Sequence, residues 1–187
     1  MLTSLVMEAQ PRITPVPESP ANFLRVLMPS PIGSLGVELL GTALTRLTIE
    51  PAEPDRSSFV PLHLLDGSDS LDEIFGRLAE YFAGARRKLD LEFDLAVCGV
   101  AAFVRRVLRE TTKIPYGRTR TYQEVAEACG RSECRPEVLA ILRENPIPVV
   151  IPCHRVIAED GGLGEYVGGC KRKLWLLELE SQGAEVL

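Results

Sequence analysis

Histidine is scarce in this sequence, and cysteine is missing from its first half. His63 and His154 are the only histidines in 187 residues, and all five cysteines (Cys98, Cys129, Cys134, Cys153, Cys170) fall after residue 97. An odd number of cysteines without a regular framework indicates reduced thiols. Cys129 and Cys134 have a spacing that suggests metal, but no second ligand pair follows, so no metal and no cofactor is expected. Free cysteine is usually a small buried hydrophobe, and Cys98, Cys129 and Cys134 are assigned to core packing. No apolar run approaches the ~18 residues of a membrane span, and the basic segment and apolar stretch of a secretory signal are missing. A soluble, cytoplasmic protein is expected. Excess positive charge is also lacking: the net charge is −5, the wrong sign for a typical nucleic-acid binder. The deficit is uneven. Residues 1–100 carry 8 Lys and Arg against 14 Asp and Glu, whereas 101–187 carry 13 against 12. Only the second part can approach a polyanion without a large repulsive field.

The rest of the composition is ordinary for a globular protein, 45% hydrophobic and 25% charged, and the length suits one large domain or two small ones. Residues 1–22 hold Pro11, Pro15, Pro17 and Pro20 and read as a flexible lead-in. Three β-rich runs, 23–28, 35–40 and 44–49, are separated by turn residues and predict an antiparallel meander. Residues 51–58 form a polar loop, and His63, with no titratable neighbour in sequence, is structural. Ser70 and Glu73 form a capping box for a helix with Leu71, Ile74, Phe75, Leu78 and Phe82 on one face, closed by Gly84. Leu89, Leu91, Phe93 and Leu95 then alternate with acidic residues, as in a strand with one buried face. Residues 23–97 thus make a small acidic α/β domain with no catalytic constellation.

Residues 98–187 read as a helical domain. A helix over 100–113 ends in the turn Ile114-Pro115-Tyr116-Gly117. A second capping box, Thr121 and Glu124, opens a short helix that Gly130 closes. The next helix carries Val138, Ile141 and Leu142 and halts before Asn145-Pro146. The pair is a helix-turn-helix by pattern, one shared by many helical hairpins that bind nothing. A loop with five glycines in residues 161–169 either lets backbone approach a ligand or is merely loose. In the last helix, 171–181, Glu180 emerges on the stripe of Leu176 and Leu177 and needs a partner. His154 is one candidate, and a surface pairing with Lys173 is the other.

The chemistry centres on Ile151-Pro152-Cys153-His154-Arg155-Val156. A cysteine attacks as its thiolate, and an adjacent imidazole and Arg155 would lower the ordinary thiol pKa of about 8.5. Pro148 and Pro152 make the approach irregular. Side chains adjacent in sequence do not face each other on a helix or strand, so His154 reaches Cys153 across a bend or through a bridging water. A lone buried cysteine with only a packing role is the competing reading.

Together with Pro31-Ile32-Gly33, Tyr81-Phe82-Ala83-Gly84, Thr121-Tyr122, Tyr166 and Gly168-Gly169, these motifs resemble the O6-alkylguanine-DNA alkyltransferase family over roughly residues 31–180. The resemblance implies an RNase-H-like α/β domain, then a winged-helix-like domain whose helix-turn-helix enters the DNA minor groove as a monomer. It implies that an alkylated guanine, and in the wider reading O4-alkylthymine, is flipped from the duplex and its alkyl group transferred irreversibly to Cys153. His154 would take the thiol proton through a water and be held by Glu180, with Tyr122 donating toward the guanine and Asn145 bracing the hinge. Val156, Tyr166, Val167, Gly168 and Lys173 would form the base pocket; Thr121, Tyr122, Arg135, Pro136 and Arg155 would meet DNA. Pro136 stands where the family has a finger arginine, and a recognition helix starting at Pro136, with Arg135 as its flanking cap, is expected. Two alternatives accompany this reading: a non-enzymatic sensor of alkylated bases, and a thiol acceptor with weak DNA affinity.

Overall fold

A computed structural model describes residues 23–50, 59–60, 69–95 and 101–184. The lead-in, the 51–58 loop, His63 and Cys98 lie outside the described residues. The meander forms as its alternation requires: β1 (Phe23–Met28), β2 (Leu35–Leu40) and β3 (Ala43–Ile49) pair antiparallel in that order. Gly33 (φ 111°) and Gly41 (φ 62°) turn the chain between them, in a backbone region other L-residues rarely enter. Val26, Leu35, Val37, Leu39, Leu44 and Leu47 are buried. Glu38 lies among them, bonded to Arg25 at 3.0 Å and Arg46 at 3.5 Å.

Helix α1 (Asp69–Phe82) packs Leu71, Ile74, Leu78, Tyr81 and Phe82 inward. Ser70 sits inside its first turn, not at the cap position expected, because the helix already includes Asp69. Gly84, at φ 73°, ends the turn that follows. The expected strand over 89–95 is corrected as well. Leu89, Leu91 and Leu95 are buried as the alternation requires, yet the segment meets the sheet at one bridge, Leu44 to Phe93. Asp90 takes a left-handed conformation (φ 47°), and Arg77 Nη1 donates to the Leu89 carbonyl at 3.1 Å. That combination breaks the extended backbone a longer ladder needs.

In the second half, α2 (Ala102–Thr112) buries Val104, Val107 and Leu108. A two-residue strand β4 (Arg120–Thr121) pairs in parallel with β5 (Val156–Ile157). Helix α3 (Tyr122–Ala128) carries the predicted capping box: Glu124 N donates to Thr121 Oγ1 at 3.1 Å, and Thr121 N to Glu124 Oε2 at 2.6 Å. Helix α4 (Arg135–Arg143) begins one residue earlier than expected. Arg135 is itself helical (φ −54°, ψ −45°), and Pro136 occupies the first turn, where no amide partner is lost. Helix α5 (Cys170–Ala184) closes the chain. One apolar cluster joins both halves, from Val26 to Leu176, so residues of α1 reach elements of the second half.

Candidate active site

The Asn145-Pro146-Ile147-Pro148 approach is built by one side chain. Asn145 Oδ1 accepts from Ile147 N at 3.0 Å, while its Nδ2 donates to Ile151 O at 2.8 Å and to Cys153 Sγ at 3.0 Å. Val149 is held at φ 74° inside this loop, a conformation costing a β-branched residue about 1–3 kcal/mol and kept only where surrounding contacts impose it. Cys153–Arg155 then forms a single 3₁₀ turn. Cys153, His154 and Arg155 are all buried.

Glu180 reaches this turn from α5, because Leu176 and Glu180 lie one helical turn apart on its buried face. Its Oε1 lies 2.9 Å from His154 Nε2 and accepts from Arg155 Nη2 at 2.8 Å and Tyr81 Oη at 2.6 Å. Oε2 accepts from Arg155 Nε at 2.9 Å and Gly117 N at 3.0 Å. Burial by itself would raise this carboxyl, but the His154 and Arg155 bonds hold it at about 2. An ionised carboxylate only accepts, so His154 carries its proton on Nε2, leaving Nδ1 as the basic nitrogen. Nδ1 is buried and bonds no protein group. Burial keeps the imidazole below its ordinary pKa despite Glu180, so it is neutral and able to accept a proton.

The thiol differs from expectation. Burial pushes Cys153 up to about 11, against the lowering effects of the Asn145 bond and the Lys173 charge. Arg155 does not activate it: that guanidinium is spent on Glu180 and on the Ile114 carbonyl at 2.6 Å. The resting site therefore holds a thiol and a neutral base, and thiolate must form as part of the reaction.

A family model for the DNA-binding domain of 6-O-methylguanine DNA methyltransferase matches residues 102–182. A methylated-DNA–protein-cysteine methyltransferase of Mycobacterium leprae is 40% identical over 155 residues, 82% of this chain and 89% of that protein. The crystal structure of Mycobacterium tuberculosis O6-methylguanine methyltransferase aligns with a TM-score of 0.72 at 32% identity, covering 88% of this chain and 96% of that one. The same organism's OGT in complex with DNA gives 0.73 at 35%, covering 85% and 93%. This chain belongs to the O6-methylguanine-DNA methyltransferase family.

Within that family frame, the remaining residues separate into buried and exposed groups. Tyr122, buried at the start of α3, donates to Glu165 O at 3.2 Å and accepts from Glu165 N at 3.1 Å. Lys173 is fully buried, its Nζ donating to Val156 O and, at 3.1 Å, to Glu165 O. Burial lowers its pKa to about 8. The surface pairing of Lys173 with Glu180 is thereby excluded, since both groups are interior and bonded elsewhere. Tyr166 stands edge-on to His154 with ring centroids 6.3 Å apart. A side chain at Gly168 would strike Ile49 Cδ1 at 2.5 Å, so this position requires close backbone approach. Val167 is 44% exposed.

The expected DNA contacts divide the same way. Arg135 and Pro136 are exposed on α4, and Arg135 Nη1 bonds Glu159 at 2.9 Å. Thr121 is occupied by its cap. Arg155, expected to meet DNA, is instead interior, because Glu180 demands a cation. Tyr81 and the Gly117 amide were not anticipated as part of the site. The signal for Tyr81 was present in the spacing Ile74-Leu78-Tyr81, the i, i+4, i+7 stripe of α1, which delivers the phenol to the interior.

Proposed function

We propose that this protein repairs DNA by moving the alkyl group of O6-alkylguanine onto Cys153 in a single turnover. The observation that carries the reading is the Cys153–His154–Glu180 arrangement: a thiol fixed by Asn145, beside an imidazole whose far nitrogen is anchored on an ionised carboxylate. The thiol proton passes through a bridging water to His154 Nδ1. Sγ bonds the alkyl carbon as the carbon–O6 bond breaks, its electron pair going to the guanine. Tyr122 trades its Glu165 bonds for the purine and stabilises that charge. In balance, one alkyl group moves from oxygen to sulfur, and the thiol proton, held on the His154 imidazolium, offsets the negative charge left on the guanine. The thioether that remains ends the cycle.

On this reading residues 23–97 form an RNase-H-like domain and 98–187 a winged-helix-like one, acting as a cytoplasmic monomer. Helix α4 enters the minor groove, the lesion is rotated out of the stack, and Val156, Tyr166, Val167, Gly168 and Lys173 enclose it. A second reading, weak duplex affinity with intact acceptor chemistry, is favoured by the Arg135–Glu159 pair and by Glu137 in the first turn of α4, where carboxylates repel phosphate. Both are tested by incubation with a duplex containing O6-methylguanine, and separately with free O6-benzylguanine, followed by intact-protein mass spectrometry and peptide mapping. One alkyl group on Cys153 from duplex DNA is the expected result. Transfer from the free base alone supports the second reading. No adduct from either donor, or an adduct on another cysteine, overturns the proposal.

A further inference from the structure

Tyr81 is contributed by α1, and among the described residues of the first half it is the one that bonds to Glu180. It is 1% exposed, and its ring stands edge-on to Phe82 at 5.5 Å and Tyr116 at 6.0 Å. Its hydroxyl donates to Glu180 Oε1 at 2.6 Å and lies 3.4 Å from His154 Nε2. The same carboxylate oxygen therefore serves the phenol and the imidazole. An O–H donor that close withdraws charge from the oxygen on which an imidazolium would depend.

We infer that Tyr81 is a positioning residue that sets the basicity of His154 through their shared oxygen on Glu180. This rests on the functional reading above only for its consequence in alkyl transfer; the electrostatic claim stands on the geometry. The proton of Tyr81 points at the carboxylate, because Glu180 cannot donate. Glu180 Oε1 then divides its lone pairs among Tyr81, His154 and Arg155. Removing the phenolic donor concentrates negative charge on the His154 bond and favours the protonated imidazole. Strengthening the donor does the reverse.

The other groups around His154 are Glu180 and Lys173 from α5, Arg155 and Cys153 of its own turn, and Tyr166 from the glycine-rich loop. Glu180 raises the imidazole pKa, and Arg155 and Lys173 lower it. None of these is altered by a change confined to the Tyr81 hydroxyl. Tyr116 is the natural control. It packs on Tyr81, but its hydroxyl donates to the Leu179 carbonyl at 3.3 Å, not to the carboxylate.

The experiment follows the His154 imidazole by ¹⁵N NMR through a pH titration, a readout that needs no alkyl transfer. It compares the unaltered protein with Tyr81→Phe, Tyr116→Phe and 3,5-difluorotyrosine at position 81. The fluorinated residue preserves the shape and makes a stronger donor, which keeps the test available should the Phe variant lose its fold. Tyr81→Phe is expected to raise the His154 pKa by about half a unit or more, and difluorotyrosine to lower it, since a hydrogen bond to the charged state shifts the titration accordingly. Tyr116→Phe is expected to leave it in place. The acid limb of Cys153 alkylation by O6-benzylguanine should move with the NMR value. A His154 titration that ignores both changes at position 81, or responds equally to Tyr116→Phe, overturns the inference. Failure of the unaltered protein to be alkylated, with the NMR shifts intact, counts against the proposed function and leaves the role of Tyr81 standing.

Discussion

Two arginine–glutamate pairs in this protein have nearly the same length and opposite consequences. Arg155 Nη2 and Glu180 Oε1 are 2.8 Å apart with side chains 9% and 1% exposed, whereas Arg135 and Glu159 are 2.9 Å apart at 47% and 39%. In the interior the charges are withdrawn from bulk solvent, so the pair needs further donors from Tyr81, His154 and Gly117 and becomes a rigid frame for the imidazole. On the surface, water and salt screen the charges, and such a pair is worth about 0–1 kcal/mol. The inner pair is suited to holding a geometry. The outer pair is suited to being exchanged, as the proposed contact of Arg135 with DNA requires. Arg143 and Glu165, 2.7 Å apart at 59% and 50% exposure, repeat the exchangeable kind at the other end of α4.

The comparison is challenged most severely at the centre of the buried cluster. Cys153→Ser should abolish alkyl transfer from both DNA and free base, because a hydroxyl is far less acidic than a thiol and the local base is only a neutral imidazole. Measured transfer by the serine variant would show that another of the cysteines accepts the group. Next comes Glu180→Gln, which keeps the shape but cannot stabilise an imidazolium. General-base assistance is worth about 10²–10⁴-fold, and single-turnover kinetics unchanged within about twofold would remove His154 and Glu180 from the proton path.

Acid should weaken the inner pair only at low pH. The folded-state pKa of Glu180, about 2, lies below its ordinary 4.5. Its contribution to stability is therefore complete above about pH 4.5 and lost as pH falls toward about 2. His154, also depressed by burial, acts in the same direction from below pH 6.5. Urea midpoints should fall between pH 7 and pH 3, and Glu180→Gln should flatten the lower part of that slope. A midpoint independent of pH would mean that Glu180 is not held ionised.

The smallest effects belong to the surface pair. Arg135→Ala should change stability by less than about 0.5 kcal/mol and slow transfer from duplex DNA more than transfer from the free base. Glu159→Gln should strengthen duplex binding by roughly two- to fivefold at low salt, with the gain shrinking as salt rises. Equal effects of Arg135→Ala on both donors would show that the arginine does not meet DNA, and a salt-independent gain would assign Glu159 a role other than charge.

Much of this arrangement was legible beforehand where a local rule and burial agree. The meander, the Thr121–Glu124 cap, the α3–α4 pair and the partnership of His154 with Glu180 all appeared at their expected positions. Failures came where a nonlocal contact decided the outcome. The 89–95 alternation has the right burial, yet Arg77 and the left-handed Asp90 hold it away from a full ladder. Arg155 was expected to lower the thiol pKa and to meet DNA, but a carboxylate from 25 residues later takes it.

The sequence by itself determined the candidates for the site, because Cys-His directly after a proline-rich approach and a lone glutamate on an apolar stripe are costly patterns without a purpose. It also determined where α3 starts, since the Thr121–Glu124 cap acts within a few residues. Only the tertiary structure decided the electrical state of the site. Whether Cys153 rests as thiol or thiolate depends on how completely packing excludes water, and here burial outweighs the neighbouring donors and charges. Only the tertiary structure, likewise, brought Tyr81 to Glu180 across 99 residues of chain, because a contact at that separation is set by how α1 and α5 pack, not by any spacing along the sequence.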